Sequence, residues 1–174
     1  MLPTIREYLD DVTAVEIDQL LADGPNGRRV LDLNAELVIE AVEAACGEAK
    51  FSNGAKFTRS TFNEGAVFAK AAFSSGTAGF SETKFRGTAD FSDVTFNSLA
   101  TFYRAEFSGP ATFARVTFAG TTTFSGTNFG TGQIKFTAPQ QWGPPLPAFD
   151  WAHDGTGKPG NVEPQNWPPA ASMS

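Results

Sequence analysis

Residues 89–121 read ADFSDVTFNSL-ATFYRAEFSGP-ATFARVTFAGT, three successive copies of an eleven-residue unit. Each copy carries two phenylalanines five residues apart, and the next copy begins its own pair six residues later. The same spacing continues in both directions from Phe51 to Phe136, with steps of seven only at 73→80 and 129→136. Because this series takes up 16 of the 17 phenylalanines, the sequence predicts a repeat protein and not an ordinary mixed core.

A second column of residues confirms the register of the repeat. Two positions before each Phe stands a small or β-branched residue, such as Ala89 or Val94. In an extended chain these two positions point to the same side, so both are predicted inside, while Lys56, Thr61 and Asp90 point out. Steps of five and six would scatter the rings around a helix, about 140° and 240° apart. The units are also too short for a meander of hairpins. We therefore expect short strands joined by corners into a coil of about 22 residues that pairs with the coils above and below.

These units resemble the pentapeptide-repeat family, in the form that has Phe instead of Leu at its centre. The resemblance covers Ala49 to Phe136 and implies an all-β, right-handed, four-sided solenoid over residues 48–136, with about four coils. Most repeats here lack the Asp or Asn that the family usually places before the central residue; only Asp90 and Asn128 follow that pattern.

The predicted inward ladder consists of Phe57, Phe62, Phe68, Phe73, Phe80, Phe85, Phe91, Phe96, Phe102, Phe107, Phe113, Phe118, Phe124 and Phe129. The coil length predicts that Phe91 stacks on Phe113, Phe96 on Phe118, Phe102 on Phe124 and Phe107 on Phe129. The steps of seven are predicted to be one-residue insertions at corners.

Residues 1–47 lack the repeat and predict a helical N-terminal cap. A capping box at 13–16 and Gly24 delimit a first helix, while Asn34 and Gly47 delimit a second, with apolar residues at 37, 38, 41, 42 and 45. We expect these helices to form a lid on the first coil, and a separate pair of partner-binding helices is the alternative. Residues 31–35 also resemble a Leu-centred repeat and are compatible with an outlying strand.

Residues 137–174 contain all three tryptophans and 8 of the 11 prolines, without periodicity. We predict that residues 137–167 cap the last coil, because an open coil end exposes a large apolar patch. The alternative is a free segment whose aromatic side chains bind a partner. Under either interpretation the candidate contact residues are Trp142, Phe149, Trp151 and Trp167. The end of the chain after Trp167 is predicted to be disordered.

No catalytic, cofactor or metal site is predicted, and we expect no enzymatic activity. His153 is the only histidine, and Asp150 and Asp154 beside it supply too few ligands at defined spacing for a metal. Cys46 fits either the inward column or the end of the second helix, and no neighbouring cation favours a reactive thiol. Outward threonines pair only two coils deep, which is too small an array to bind ice.

The net charge of −6 is unevenly distributed: residues 1–50 carry −7, residues 51–136 carry +3 and residues 137–174 carry −2. A single cysteine excludes an internal disulfide, and no apolar run is long enough to span a membrane or serve as a signal peptide. We therefore expect a soluble, cytoplasmic protein. Nucleic-acid binding is not expected, because the repeat lacks exposed stacking aromatics.

Two functions are consistent with the sequence. The first is a structural or interaction module that presents a rigid surface to a protein partner, with the oligomeric state, monomer or dimer, left open. The second follows from the resemblance, because some pentapeptide-repeat proteins mimic duplex DNA and regulate type II topoisomerases such as gyrase. DNA mimicry requires an acidic rod, whereas the outward Lys70, Lys84 and Arg104 make this one slightly basic.

Overall fold

A computed structural model of the chain describes residues 47–172 and, before them, the backbone of residues 22–24, 28–32, 38–39 and 43–45. The described residues form an all-β parallel solenoid of about four turns and contain no helix. Each turn of the coil contributes one short strand to each of four sheets. We number these sheets as four faces in the order in which the chain visits them.

The first face consists of β1 (Ala22–Gly24), β2 (Arg28–Asp32), β6 (Ala55–Lys56), β10 (Thr77–Gly79), β14 (Leu99–Thr101) and β18 (Thr122–Thr123). The second face consists of β3 (Val38–Ile39), β7 (Thr61–Phe62), β11 (Lys84–Phe85) and β15 (Glu106–Phe107). The third face consists of β4 (Glu43–Ala45), β8 (Gly65–Val67), β12 (Ala89–Asp90), β16 (Ala111–Thr112), β19 (Ile134–Lys135) and β21 (Val162–Glu163). The fourth face consists of β5 (Lys50–Phe51), β9 (Ala72–Phe73), β13 (Thr95–Phe96), β17 (Thr117–Phe118) and β20 (Gln141–Trp142). Among these strands only β1 and β2 pair antiparallel.

The interior consists of four columns of stacked phenylalanine rings, one behind each face. Rings in one column lie 4.6–6.0 Å apart and within 14° of parallel. The four stacked pairs predicted from the coil length are all present, as Phe91 on Phe113 at 4.9 Å and Phe102 on Phe124 at 4.7 Å illustrate. Every Phe of the predicted ladder is buried, with 0–5% of its surface exposed. Rings behind the first and third faces meet edge to face, as Phe91 and Phe102 do at 87°.

The step of seven after Phe73 is an insertion at the corner between the fourth and first faces. Phe51 pairs with Phe73 and Phe73 with Phe96, so the second of these two turns is the longer one. Gly76 turns this corner with φ +71, and a Cβ there would lie 2.3 Å from the carbonyl oxygen of Asn53. The wider corner therefore needs glycine both for its dihedral and for the close approach of the coil below.

The N-terminal helix prediction is wrong for the residues that the structure describes. Residues 38–39 and 43–45, predicted in the second helix, are strands β3 and β4, and residues 22–24, at the end of the first, are β1. Ile39 pairs with Phe62 and Ala44 with Ala66, so they extend the parallel ladders below the Phe repeats. The apolar spacing is compatible with a helix, but ladder pairing with an existing coil overrides that local preference. The rest of the predicted lid, including Thr13 and Cys46, lies outside the described residues.

Parallel pairing also continues beyond Phe136. Strand β20 pairs with β17 so that Trp142 lies opposite Phe118, and Ala148 bridges to Thr123. The predicted disorder after Trp167 is wrong for residues 168–172. Pro169 is buried, and Ser172 donates from its backbone N–H to the carbonyl of Pro139 (2.7 Å) and from its hydroxyl to the carbonyl of Ala138 (3.0 Å). These bonds hold the segment against the corner at residues 138–139.

Candidate interaction surface

The corners after the first and third faces are tight turns that project charged side chains outward. The carbonyl of Phe102 accepts a hydrogen bond from the N–H of Ala105 (2.9 Å), which closes a four-residue turn. The third residue of each such turn has a left-handed backbone, as at Arg59 (φ 61), Lys70 (φ 61) and Arg115 (φ 54). Glycine or asparagine usually occupies this position. These corners could not be predicted from the sequence, since nothing in a single Arg or Lys indicates a left-handed conformation.

Charged residues at these corners stack into ladders of alternating sign. At the corner between the third and fourth faces, Lys70 donates to Glu48 (3.3 Å), and Arg115 donates to both carboxylate oxygens of Asp93 (2.8 and 2.6 Å). The hydrogen bond from Arg115 lowers the pKa of Asp93. At the corner after the first face, Arg59 pairs with Glu82 at 3.4 Å. Each of these pairs joins one acidic and one basic side chain, so their charges compensate one another.

The remaining half of the circumference carries no charged residue for four turns. Residues 71–81, 94–103, 116–129 and 136–149 contain no Asp, Glu, Lys, Arg or His. Each stretch covers the fourth face, the following corner and the first face, and we call this region the neutral surface. It is built mainly from Thr, Ser, Ala, Gly, Asn, Pro and Gln, with three exposed large apolar side chains, Leu99 (40% exposed), Tyr103 (40%) and Leu146 (53%). This surface was not predicted from the sequence, although aligning successive coils beneath one another shows it.

The four aromatic residues singled out in the C-terminal segment each lie over one phenylalanine column. Measured between ring centres, Trp142 lies 5.5 Å from Phe118, Phe149 stacks 4.8 Å from Phe124, Trp151 lies 5.5 Å from Phe129 and Trp167 lies 5.9 Å from Phe136. All four are partly buried against the core. They also contact one another, Phe149 lying 4.4 Å from Trp151 and 5.2 Å from Trp167. Their geometry is that of an aromatic layer over the last coil.

A small cleft of about 50 Å³ opens on this aromatic layer. The four aromatic residues line it together with Leu146, Pro147 and His153. The indole N–H of Trp151 is buried, with no hydrogen-bond partner among the described residues. The cleft is too small for an organic ligand of ordinary size, since such pockets measure about 300–1,000 Å³.

The carboxylates near His153 are engaged in backbone hydrogen bonds. Asp150 accepts from the N–H of Gly126 (2.7 Å), and Asp154 accepts from the N–H of Thr156 (2.9 Å). The backbone hydrogen bond from Thr156 lowers the pKa of Asp154. Within the described part of the chain, no group of three or more His, Cys, Asp or Glu side chains could hold a metal ion.

Residues 80–128 match the family model for pentapeptide repeats, in 9 copies. No curated protein and no solved structure matches the chain significantly. In the part of the chain that the structure describes, no helix is long and apolar enough to cross a membrane. The matched repeats contribute strands to all four faces of the solenoid and include Leu99, Tyr103 and the Asp93–Arg115 pair.

Proposed function

We propose that this chain, which is a pentapeptide-repeat protein, acts as a non-catalytic structural or interaction module that presents a rigid surface to a protein partner. The observation that carries the proposal is the unbroken interior of stacked rings. Each mid-column Phe contacts the rings above and below it, as Phe102 does with Phe80 (4.9 Å) and Phe124 (4.7 Å). A close-packed interior of this kind fixes each outward side chain relative to the next coil.

The hydrogen bonds between coils support the same proposal. The N–H of Phe102 donates to the carbonyl of Thr123 (2.8 Å), and the N–H of Phe80 donates to the carbonyl of Thr101 (2.7 Å). Inside the coil, Thr83 and Thr127 donate their hydroxyls to the carbonyls of Phe57 (2.6 Å) and Phe102 (2.7 Å). With backbone groups paired between coils, residues that point outward are free to determine binding without changing the fold.

The charge distribution disfavours DNA mimicry of a type II topoisomerase as the alternative. A mimic would need rows of unpaired acidic groups along the rod, because its partner is shaped for phosphates. Here Asp93 and Glu82 are paired with arginines, and Glu106 lies 4.0 Å from Lys84. Three of the five acidic side chains of residues 51–136 therefore already lie beside a basic side chain.

Photo-crosslinking in cells that naturally produce the protein tests the proposal. A photoactivatable residue is placed at Thr101, Glu106, Thr112 or Thr117, the residue before the Phe on each face of one turn. We expect a discrete adduct with another protein from one or two neighbouring faces. The same probe in an unfolded Phe102→Asp background should give none. Absence of such adducts from all four faces would contradict the proposal.

A further inference from the structure

We propose that the first face, within the neutral surface, mediates a weak side-by-side dimer of this chain. The inference deepens the proposed interaction role and rests on it. The three exposed large apolar side chains of the described residues all lie on the neutral surface. Loss of charge together with exposed aromatic and aliphatic groups distinguishes the core of a protein interface from ordinary surface.

The arrangement around Thr101 fits a second copy in particular. Leu99 and Tyr103 lie two residues before and two residues after Thr101 in the same turn, and each is 40% exposed. A two-fold axis parallel to the coil and running over Thr101 would bring Leu99 of one copy opposite Tyr103 of the other, and the reverse. Such an isologous contact uses one patch twice and therefore needs this kind of self-complementarity. Along the coil, Thr101 pairs with Thr123, so two small side chains lie at the centre of the contact.

Charge also favours self-association through this face. Over the four turns of the neutral surface, two copies meet without opposing like charges and without burying an unpaired ion. Lys56, which continues the Thr101 column below Gly79, lies at the lower end of this contact. The charged corners of both copies then lie at the edges of the contact or away from it. Arg104 marks the border, with its guanidinium 5.0 Å from the centre of the Tyr103 ring.

The available area predicts weak binding. Four turns about 4.8 Å apart, with about five residues of 3.3 Å each, give a face of about 300 Å² per copy before side-chain relief is added. Stable interfaces bury about 800 Å² per partner. The dimer should therefore be reversible and concentration-dependent.

Sedimentation velocity from about 10 to 500 µM tests the inference over the range expected for a small interface. The wild-type sedimentation coefficient should rise with concentration in both low salt and 1 M salt, because the turns around Thr101 that form the centre of the contact carry no charged residue. Thr101→Lys should remain monomeric throughout. Thr112→Lys, at the same repeat position on the opposite face, should behave like wild type. Each threonine accepts a hydrogen bond from the N–H two residues on (3.3 Å in both). Thr101 also shares a hydrogen bond with the Ser81 hydroxyl (2.9 Å), so Thr101→Lys is expected to lower the melting temperature slightly more than Thr112→Lys.

Circular dichroism melting confirms that both variants fold. A wild-type protein that stays monomeric at the highest concentration would overturn the dimer. The proposed interaction role would then still be tested separately by the crosslinking experiment. A dimer that dissociates in 1 M salt, or that Thr112→Lys disrupts, would also overturn the inference, because association would then use a charged face.

Discussion

At the scale of single residues, the stability of this solenoid depends on what each side chain faces. Phe102 is completely buried between the rings of Phe80 and Phe124. Arg104, two residues later, is at an outward corner. The same short stretch therefore holds one position that tolerates almost no change and one that tolerates most changes.

We predict that Phe102→Asp abolishes soluble folding, because the carboxylate would be buried without a partner. Arg104→Glu should change the melting temperature by little, since exposed charges contribute about 0–1 kcal/mol. Expression in the soluble fraction and thermal melting of both variants check the prediction. Equal effects of the two changes would contradict the assigned register.

The left-handed corners give a second prediction at this scale. Ala138 has φ +46, where an L-residue is disfavoured by about 1–2 kcal/mol and glycine is not. Ala138→Gly should stabilise the protein by about 0.5–1 kcal/mol, after the larger chain entropy of glycine in the unfolded state is subtracted. Gly126→Ala, at φ +70 in a corresponding corner, should destabilise it by a similar amount. Urea unfolding measures both, and effects of the same sign would contradict the conformational argument.

At the scale of elements, strands of two or three residues are stable only because each pairs with the coils on either side. This dependence explains how far the fold could be predicted. The Phe ladder was predictable because one ring type marks every strand from Phe51 to Phe136. Strands β3 and β4 were not, since Val38, Ile39 and Ala44 lack that marker and their spacing also suits a helix. Strand β20 was not predicted, because insertions make the turn from Phe118 to Trp142 longer than the regular coil.

The ion-pair ladder could not be predicted from sequence either, because its members lie a full coil apart in the chain and meet only once the coil register is known. Its strongest pair gives a testable pH dependence. The hydrogen bond from Arg115 lowers the folded-state pKa of Asp93 below its unfolded value of about 3.9. The pair therefore stabilises the folded state above about pH 4, and this contribution is lost as the pH falls through the folded-state pKa.

We expect Asp93→Asn to lower the melting temperature at pH 7 and to have progressively less effect as the pH falls from 4 to 2. Thermal melts of wild type and variant across this range, at one ionic strength, check the prediction. Asp150→Asn, which removes a different carboxylate, serves as the comparison. A difference between wild type and Asp93→Asn that stays constant from pH 7 to 2 would contradict the role of the pair.

At the scale of the whole molecule, charge is arranged by side and not along the length of the rod. Charged side chains, several of them paired, occupy one half of the circumference, and the neutral surface occupies the other. Neither half resembles the phosphate rows of duplex DNA. We therefore expect the purified protein at micromolar concentration to leave supercoiling by gyrase unchanged in a gel assay. Inhibition that excess DNA relieves would instead support mimicry.

The last prediction concerns the C-terminal end of the rod, because an open coil end exposes ring faces to water. Trp142, Phe149, Trp151 and Trp167 each lie over one column, so removing residues 137–174 would expose Phe118, Phe124, Phe129 and Phe136 together. We expect the truncated protein to melt at a lower temperature and to form end-to-end oligomers, visible by light scattering. Unlike the side-by-side dimer, these oligomers should persist when Thr101→Lys is added. Truncation at 167 should cost less, because it keeps all four aromatic residues and removes Pro168, the buried Pro169 and the two hydrogen bonds of Ser172. A stable, monomeric truncation at 136 would show that the aromatic layer does not serve as a cap, and the C-terminal segment would then become the stronger candidate for partner binding.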